Sequence, residues 1–246
     1  MIRWPVVLSL ICLTAVSPVS SMAADSRARA EAPVRPDYGN IYFGVDVDTN
    51  GNLAGYAGVL VAPFGLHQSG LRISAFAMPG QYEYVSGPIP IEARFATVDL
   101  LVGWSHLFGY GGVTLMVGGN YQDHRPSTFD PTNTVEGTEL GFKVQGDVWI
   151  NPTPATLLFA LASYSTAFDS YYAIGRAGYD ITGGSYVFVG PEVSGFSSDR
   201  TEHIRLGAHV TGIKLGPAKL SFAGGWLTER DEGSGGYATA TVDFSF

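Results

Sequence analysis

Glu139-Leu140-Gly141-Phe142-Lys143-Val144-Gln145-Gly146-Asp147-Val148-Trp149-Ile150 reads as an extended strand with two unlike faces. Leu140, Phe142, Val144, Val148 and Ile150 fall on one side, and Glu139, Lys143, Gln145 and Asp147 on the other, because side chains alternate along an extended chain. A soluble sandwich also has such strands. Recurrence is what decides.

About twelve segments of this kind follow one another: 40–48, 53–62, 70–80, 91–107, 112–122, 137–150, 156–167, 171–182, 185–194, 202–214, 218–228 and 236–246. Most have the roughly 9–11 residues that a tilted strand needs to cross a bilayer, where an ordinary strand has about 5–6. On 70–80, Leu71, Ile73, Ala75 and Ala77 oppose Arg72 and Ser74; on 171–182, Ala173, Ala177, Tyr179 and Ile181 oppose Arg176 and Asp180. On 202–214, Ile204, Leu206, Ala208 and Val210 oppose His203, Arg205, His209 and Thr211. A sandwich would strand charges such as Asp99 in a dry core. A barrel points them into a wet lumen and gives the apolar face to acyl chains, and closure pairs every backbone group. The expectation is an all-β, antiparallel, up-and-down transmembrane barrel of about 12 strands over 40–246. Arg72, Asp99, Glu139, Lys143, Asp147, Arg176, Asp180, Arg205 and His209 are its candidate lumen-lining residues.

Composition agrees. Only 15% of residues are charged, with 13% aromatic and 32 Gly, whereas a soluble domain carries about a quarter charged. A net charge of −8 excludes nucleic acid as an expected partner. At the N-terminus, Arg3, the apolar run Val6–Val16 and Ser21-Met22-Ala23-Ala24 have the order of a signal peptide over 1–24, cut after Ala23 or Ala24. Cys12, the single cysteine, follows bulky Ile11 and so lacks a lipobox context. Residues 25–39 read as a flexible periplasmic lead-in. The expected location is the bacterial outer membrane, with outer-membrane lipids as partners.

With the N-terminus periplasmic, connections at 63–69, 108–111, 151–155, 182–184 and 216–217 should be short turns, while 80–90, 123–136, 195–201 and 229–235 should be longer outer loops. The 123–136 loop, rich in Asp, Pro and Thr, is the preferred contact surface. In the last segment Ala238, Ala240, Val242, Phe244 and Phe246 share one face. A terminal strand with Phe244 and Phe246 so placed has the form of a barrel-assembly signal.

Three stretches imitate chemistry. Asp46-Val47-Asp48-Thr49-Asn50-Gly51 starts like a calcium loop, but its twelfth position is Ala57, not a bidentate Glu; Asn50-Gly51 instead suits a tight hairpin turn. His203 and His209 share a strand face but lie roughly 20 Å apart along extended chain, which suits two solvated lumen histidines. Ser105 and His106 are adjacent, so they point to opposite faces, and the surrounding Gly103–Leu107 lacks the second Gly of a nucleophile elbow. No catalytic, metal or cofactor constellation emerges, and a non-enzymatic role is expected. Trp104, Tyr121, Tyr179 and Trp226 fall on apolar faces and suit interface girdles. Tyr42, Phe76, Trp149, Tyr164 and Tyr172 are read as inward, where rings pack a narrow barrel or stack on a glucan.

Tyr121-Gln-Asp-His-Arg125, Asp130-Pro-Thr-Asn133, Gly141-Phe-Lys-Val-Gln-Gly146 and Trp149-Ile-Asn-Pro-Thr-Pro154 occur in an order that resembles the cellulose-biosynthesis protein family BcsS. Val61-Ala-Pro-Phe-Gly65, Val189-Gly-Pro-Glu192 and Arg205-Leu-Gly-Ala-His-Val-Thr-Gly212 extend the resemblance over roughly 40–246. It implies a part in cellulose synthesis or secretion, with the cellulose chain and the synthase or export components as partners, and it implies no catalytic residue. Conduit and scaffold are both open versions of that role. A small-solute channel unrelated to cellulose, and less strongly a lipid-modifying enzyme, are the alternatives.

Overall fold

A computed structural model describes residues 37–86, 89–131, 133–198, 201–229 and 233–246. The signal peptide read at 1–24 and most of the lead-in lie outside the described residues. Twelve strands follow one another: β1 Gly39–Asp48, β2 Leu53–Val61, β3 Gly70–Ser86, β4 Ile89–Phe108, β5 Gly111–Pro126, β6 Gly137–Ile150, β7 Thr156–Ser165, β8 Ser170–Asp180, β9 Phe188–Ser198, β10 Thr201–Leu215, β11 Ala218–Glu229 and β12 Gly233–Ser245. Each pairs antiparallel with its neighbours in sequence, and β1 pairs with β12, so the sheet closes into a barrel. Backbone bonds between Gly39 and Phe246 complete the seam.

The strands exist for the reason the alternation gave, and their faces are inverted relative to a soluble protein. Charged and polar side chains such as Arg72, Asp99, Lys143, Arg176 and Arg205 are buried inside, while Phe43, Leu100, Val102, Leu115, Leu140 and Leu206 are exposed outside. Exposed aromatic residues gather towards the two rims. Phe108, Tyr110 and Tyr179 stand near the end that carries the termini; Tyr121, Tyr171 and Trp226 stand nearer the far end. Phe108 is level with Gly111, ten residues along β5 from Tyr121. At about 3.3 Å per residue and a tilt near 40°, the rims are roughly 25 Å apart.

The expected alternation of short and long connections is not found. At the far end only 127–136 is long, because β3, β4 and β5 run on as strand where loops were expected at 80–90 and in the first part of 123–136. Pro79 lies within β3, and the β2–β3 ladder is interrupted there, between Ala54↔Gly80 and Ala57↔Ala77, where its missing N–H has no β2 partner to serve. At the termini end, the turn expected at 182–184 grows to 181–187. The Asp180 carboxylate accepts hydrogen bonds from the backbone N–H groups of Thr182, Gly184 and Tyr186, which holds a wider turn and delays the start of β9.

Candidate functional site in the barrel interior

The interior is built in three tiers. At the termini end, the 62–69 connection folds into the barrel. Ala62 and Leu66 are buried there with Leu60, Leu101 and Met116. Arg72 holds this plug: its guanidinium donates to the carbonyls of Gln68 (2.7 Å), Leu71 (3.0 Å) and Leu66 (3.3 Å). The chain leading into β1 is tied to the same plug, Leu66 N–H donating to Asp37 O and Ala62 N–H to Tyr38 O. Asp147 is buried nearby, one carboxylate oxygen having no hydrogen-bond partner among the described residues.

The middle tier is crossed by ion pairs. Lys143 of β6 reaches over β5 to Asp99 of β4 at 2.6 Å, and Asn120 donates to the other Asp99 oxygen at 2.6 Å. Arg205 of β10 reaches over β11 and β12 to grip both oxygens of Asp46 at 2.9 and 3.1 Å, while its guanidinium lies 4.8 Å from the Tyr237 ring centroid. Tyr237 donates to Glu192 at 3.0 Å, and Glu192 also pairs with Arg176 at 2.5 Å. Each charge thus has a partner of opposite sign, which burial demands. Tyr42 and Tyr56 both approach Phe76, at 6.4 Å between centroids. One cavity among these side chains, of about 10 Å³, is lined by Tyr42, Phe76, Asp99, Lys143, Leu161 and Tyr172, among others. That is room for about one water.

At the far end, rings form a collar. Tyr82 lies 6.0 Å from Phe95 and 6.2 Å from His124; Phe95 and His124 stack at 6.0 Å with 16° between planes. A single 3-10 turn, Ala167–Asp169, joins β7 to β8 and drops Phe168 edge-on against His124 at 5.1 Å. Glu139 accepts the Phe168 N–H at 3.0 Å. Val135, from the 127–136 connection, is buried in the same cluster, and Asn133 donates to the Tyr84 hydroxyl.

A family model for cellulose biosynthesis protein BcsS matches residues 40–246, the whole barrel. This chain belongs to the BcsS family. Among solved structures the barrel is similar to the KdgM porin, with 10% identity over 84% of this chain and 99% of that one and a TM-score of 0.48. It is also similar to the low-pH structure of OprB from Pseudomonas putida, with 9% identity, 85% and 91% coverage and a TM-score of 0.36. No curated protein matches.

In this BcsS-family barrel Arg72, Asp99, Lys143, Asp147, Arg176, Asp180, Arg205 and His209 all lie buried on the inner face. Glu139 is half-buried at the rim, where it pins Phe168. The histidines read as solvated are buried instead. His203 packs 5.6 Å from Phe196, and His209 donates to Ala177 O at 3.2 Å. Tyr42, Phe76, Trp149 and Tyr172 are inside, but Tyr164 is not. On β7 the inner positions are Leu157, Phe159, Leu161 and Ser163, so Tyr164 turns outward, 4.6 Å from Tyr171, and donates to Asp169. Phe244 and Phe246 stand on the outer surface. In the 127–136 connection Val135 and Asp130 fold inwards, while Ser127, Thr128, Phe129, Pro131, Thr134 and Glu136 stay exposed.

Asp48 accepts the N–H groups of Asn50 and Asn52, which makes the calcium-like stretch a hairpin turn with Gly51 at φ 93°. Among the described residues no cluster of three His, Cys, Asp or Glu is placed for a metal. Ser105 points in, accepting from Thr114, and His106 points out. The collar went unread in the sequence. The alternation of Gln81-Tyr82-Glu83-Tyr84 carries its signal, whereas nothing local marks Phe168.

Proposed function

We propose that this BcsS-family barrel spans the bacterial outer membrane, termini towards the periplasm, and assists cellulose production as a closed scaffold for the synthesis or export machinery rather than as a standing-open conduit. The outer face favours the membrane. An apolar band of roughly 25 Å between aromatic rims fits the hydrocarbon layer that such barrels occupy, and a signal peptide would bring the chain to the periplasm. The membrane lipids are then its first partners.

One observation carries the scaffold reading: the inner wall is occupied by buried ion pairs that bridge non-adjacent strands, at Lys143–Asp99 and Arg205–Asp46. A glucan or small solute passing through would break them, and separating a buried pair costs about 3–5 kcal/mol. The same filling weighs against a general solute channel. Family membership supports the link to cellulose, with the synthase components as partners of the scaffold.

Two measurements test this. Purified barrel in a planar bilayer should be electrically silent at modest voltage, and deleting the gene should lower cellulose measured by Congo red binding. Large, steady conductance steps would overturn the closed form; unchanged cellulose would remove the link to the polymer.

A further inference from the structure

Phe168 sits in an unfavourable backbone conformation. Its φ is 51° and that of Asp169 is 44°, in the left-handed region that non-glycine residues avoid. Strain of this kind persists where surrounding contacts impose it, and it gathers at clamps and switches. The turn is anchored on both sides, Ala167 N–H donating to Ser165, Tyr164 to Asp169, and Thr166 exchanging bonds with the Phe142 backbone; the contacts on Phe168 itself and its carbonyl neighbour are those that a cover would release. Glu139 holds the Phe168 N–H, Ala167 O accepts from Gln122 and Ser170, and the Phe168 ring fills the collar beside His124.

Beneath that ring, His124 is fully buried and its Nε2 donates to Gln122 Oε1, leaving Nδ1 as an acceptor with no partner among the described residues. With Phe168 lifted, the mouth would present the near-parallel Phe95 and His124 rings with Tyr82 beside them, and the unused His124 Nδ1 acceptor. Among the described residues no cation stands in this group; Arg94 and Arg125, adjacent to Phe95 and His124, are both exposed, Arg125 paired to Asp123, so an anionic ligand finds no counter-charge.

We propose that the collar of Tyr82, Phe95 and His124 is a covered saccharide subsite, and that the Phe168 turn is its removable cover. A pyranose offers a flat C–H face to the rings and a hydroxyl at its rim to His124 Nδ1. The assignment to a β-linked glucan rests on the cellulose reading above; the saccharide class rests on the collar itself. In the orientation proposed, the site opens at the cell surface and holds emerging polymer from outside, so it requires no passage through the filled middle tier.

The test is calorimetric titration of detergent-purified barrel with cellohexaose, and with maltohexaose as the α-linked counterpart. Phe168→Ala should bind cellohexaose about tenfold more tightly than the wild type, and Tyr82→Leu added to it should remove the gain. Glu139→Ala, which keeps Phe168 but frees its N–H, should give a smaller gain of roughly twofold to fivefold; it carries the test if Phe168→Ala does not yield a heat-modifiable, folded barrel. No gain in a folded variant overturns the cover. A gain that Tyr82→Leu leaves untouched overturns the collar, and equal binding of maltohexaose overturns the β-linked assignment. Failure of the cellulose reading shows separately, as unchanged cellulose in the deletion strain beside an intact titration.

Discussion

The ring of Tyr42 packs against Gly58, its cross-strand partner on β2, so closely that a Cβ at Gly58 would lie 2.2 Å from the ring. Tyr56 stands in the same relation to Gly44 on β1. Two glycines therefore let two tyrosines lie over the inner wall and reach Phe76. Gly58→Ala should displace the Tyr42 ring and lower stability by about 1–3 kcal/mol, read as an earlier transition in urea unfolding from detergent. Smaller loss in a Tyr42→Leu background would mark the clash as the cause; equal loss in both backgrounds would place the cause elsewhere.

Among the described residues Arg205 is the one cation bonded to Asp46. Arg205→Leu leaves a buried carboxylate unpaired, and a loss of about 3–5 kcal/mol is expected. Adding Asp46→Asn should recover a good part of it. An Arg205→Leu barrel as stable as the wild type would mean that the carboxylate is already neutral or wet.

Arg72 serves carbonyl groups rather than a carboxylate. Arg72→Met should free the 62–69 connection, whose Phe64 and His67 are exposed, without unfolding the barrel. Limited proteolysis should then cut within 62–69 in the variant only. Protection equal to that of the wild type would show that Leu66 packing holds the plug unaided.

Leu100, 64% exposed near the middle of the outer face, separates a membrane barrel from a soluble one by the sign of the effect. Leu100→Lys should hinder folding into lipid vesicles by about 2–4 kcal/mol. In a water-soluble barrel the same change would improve solubility and leave folding intact.

The strands were legible because contrast between faces is a local property. Where the contrast fades, so does the reading. β7, Thr156-Leu-Leu-Phe-Ala-Leu-Ala-Ser-Tyr-Ser165, is apolar on both sides, so its sequence could not tell which way Tyr164 turns. Parity also says which residues face inward but not how far they reach. That Lys143 spans β5 to meet Asp99, and that Phe168 on the β7–β8 turn meets His124 of β5, depends on the curvature of the closed barrel.

The seam between Gly39 and Phe246 ties kinetics to topology. The two residues first and last in the sheet complete each other, so no shorter stretch of the polypeptide can satisfy all its amides within a hydrocarbon layer. In the membrane placement proposed above, closure therefore commits the whole at once, and the slowest step of folding should be the meeting of the first and last strands.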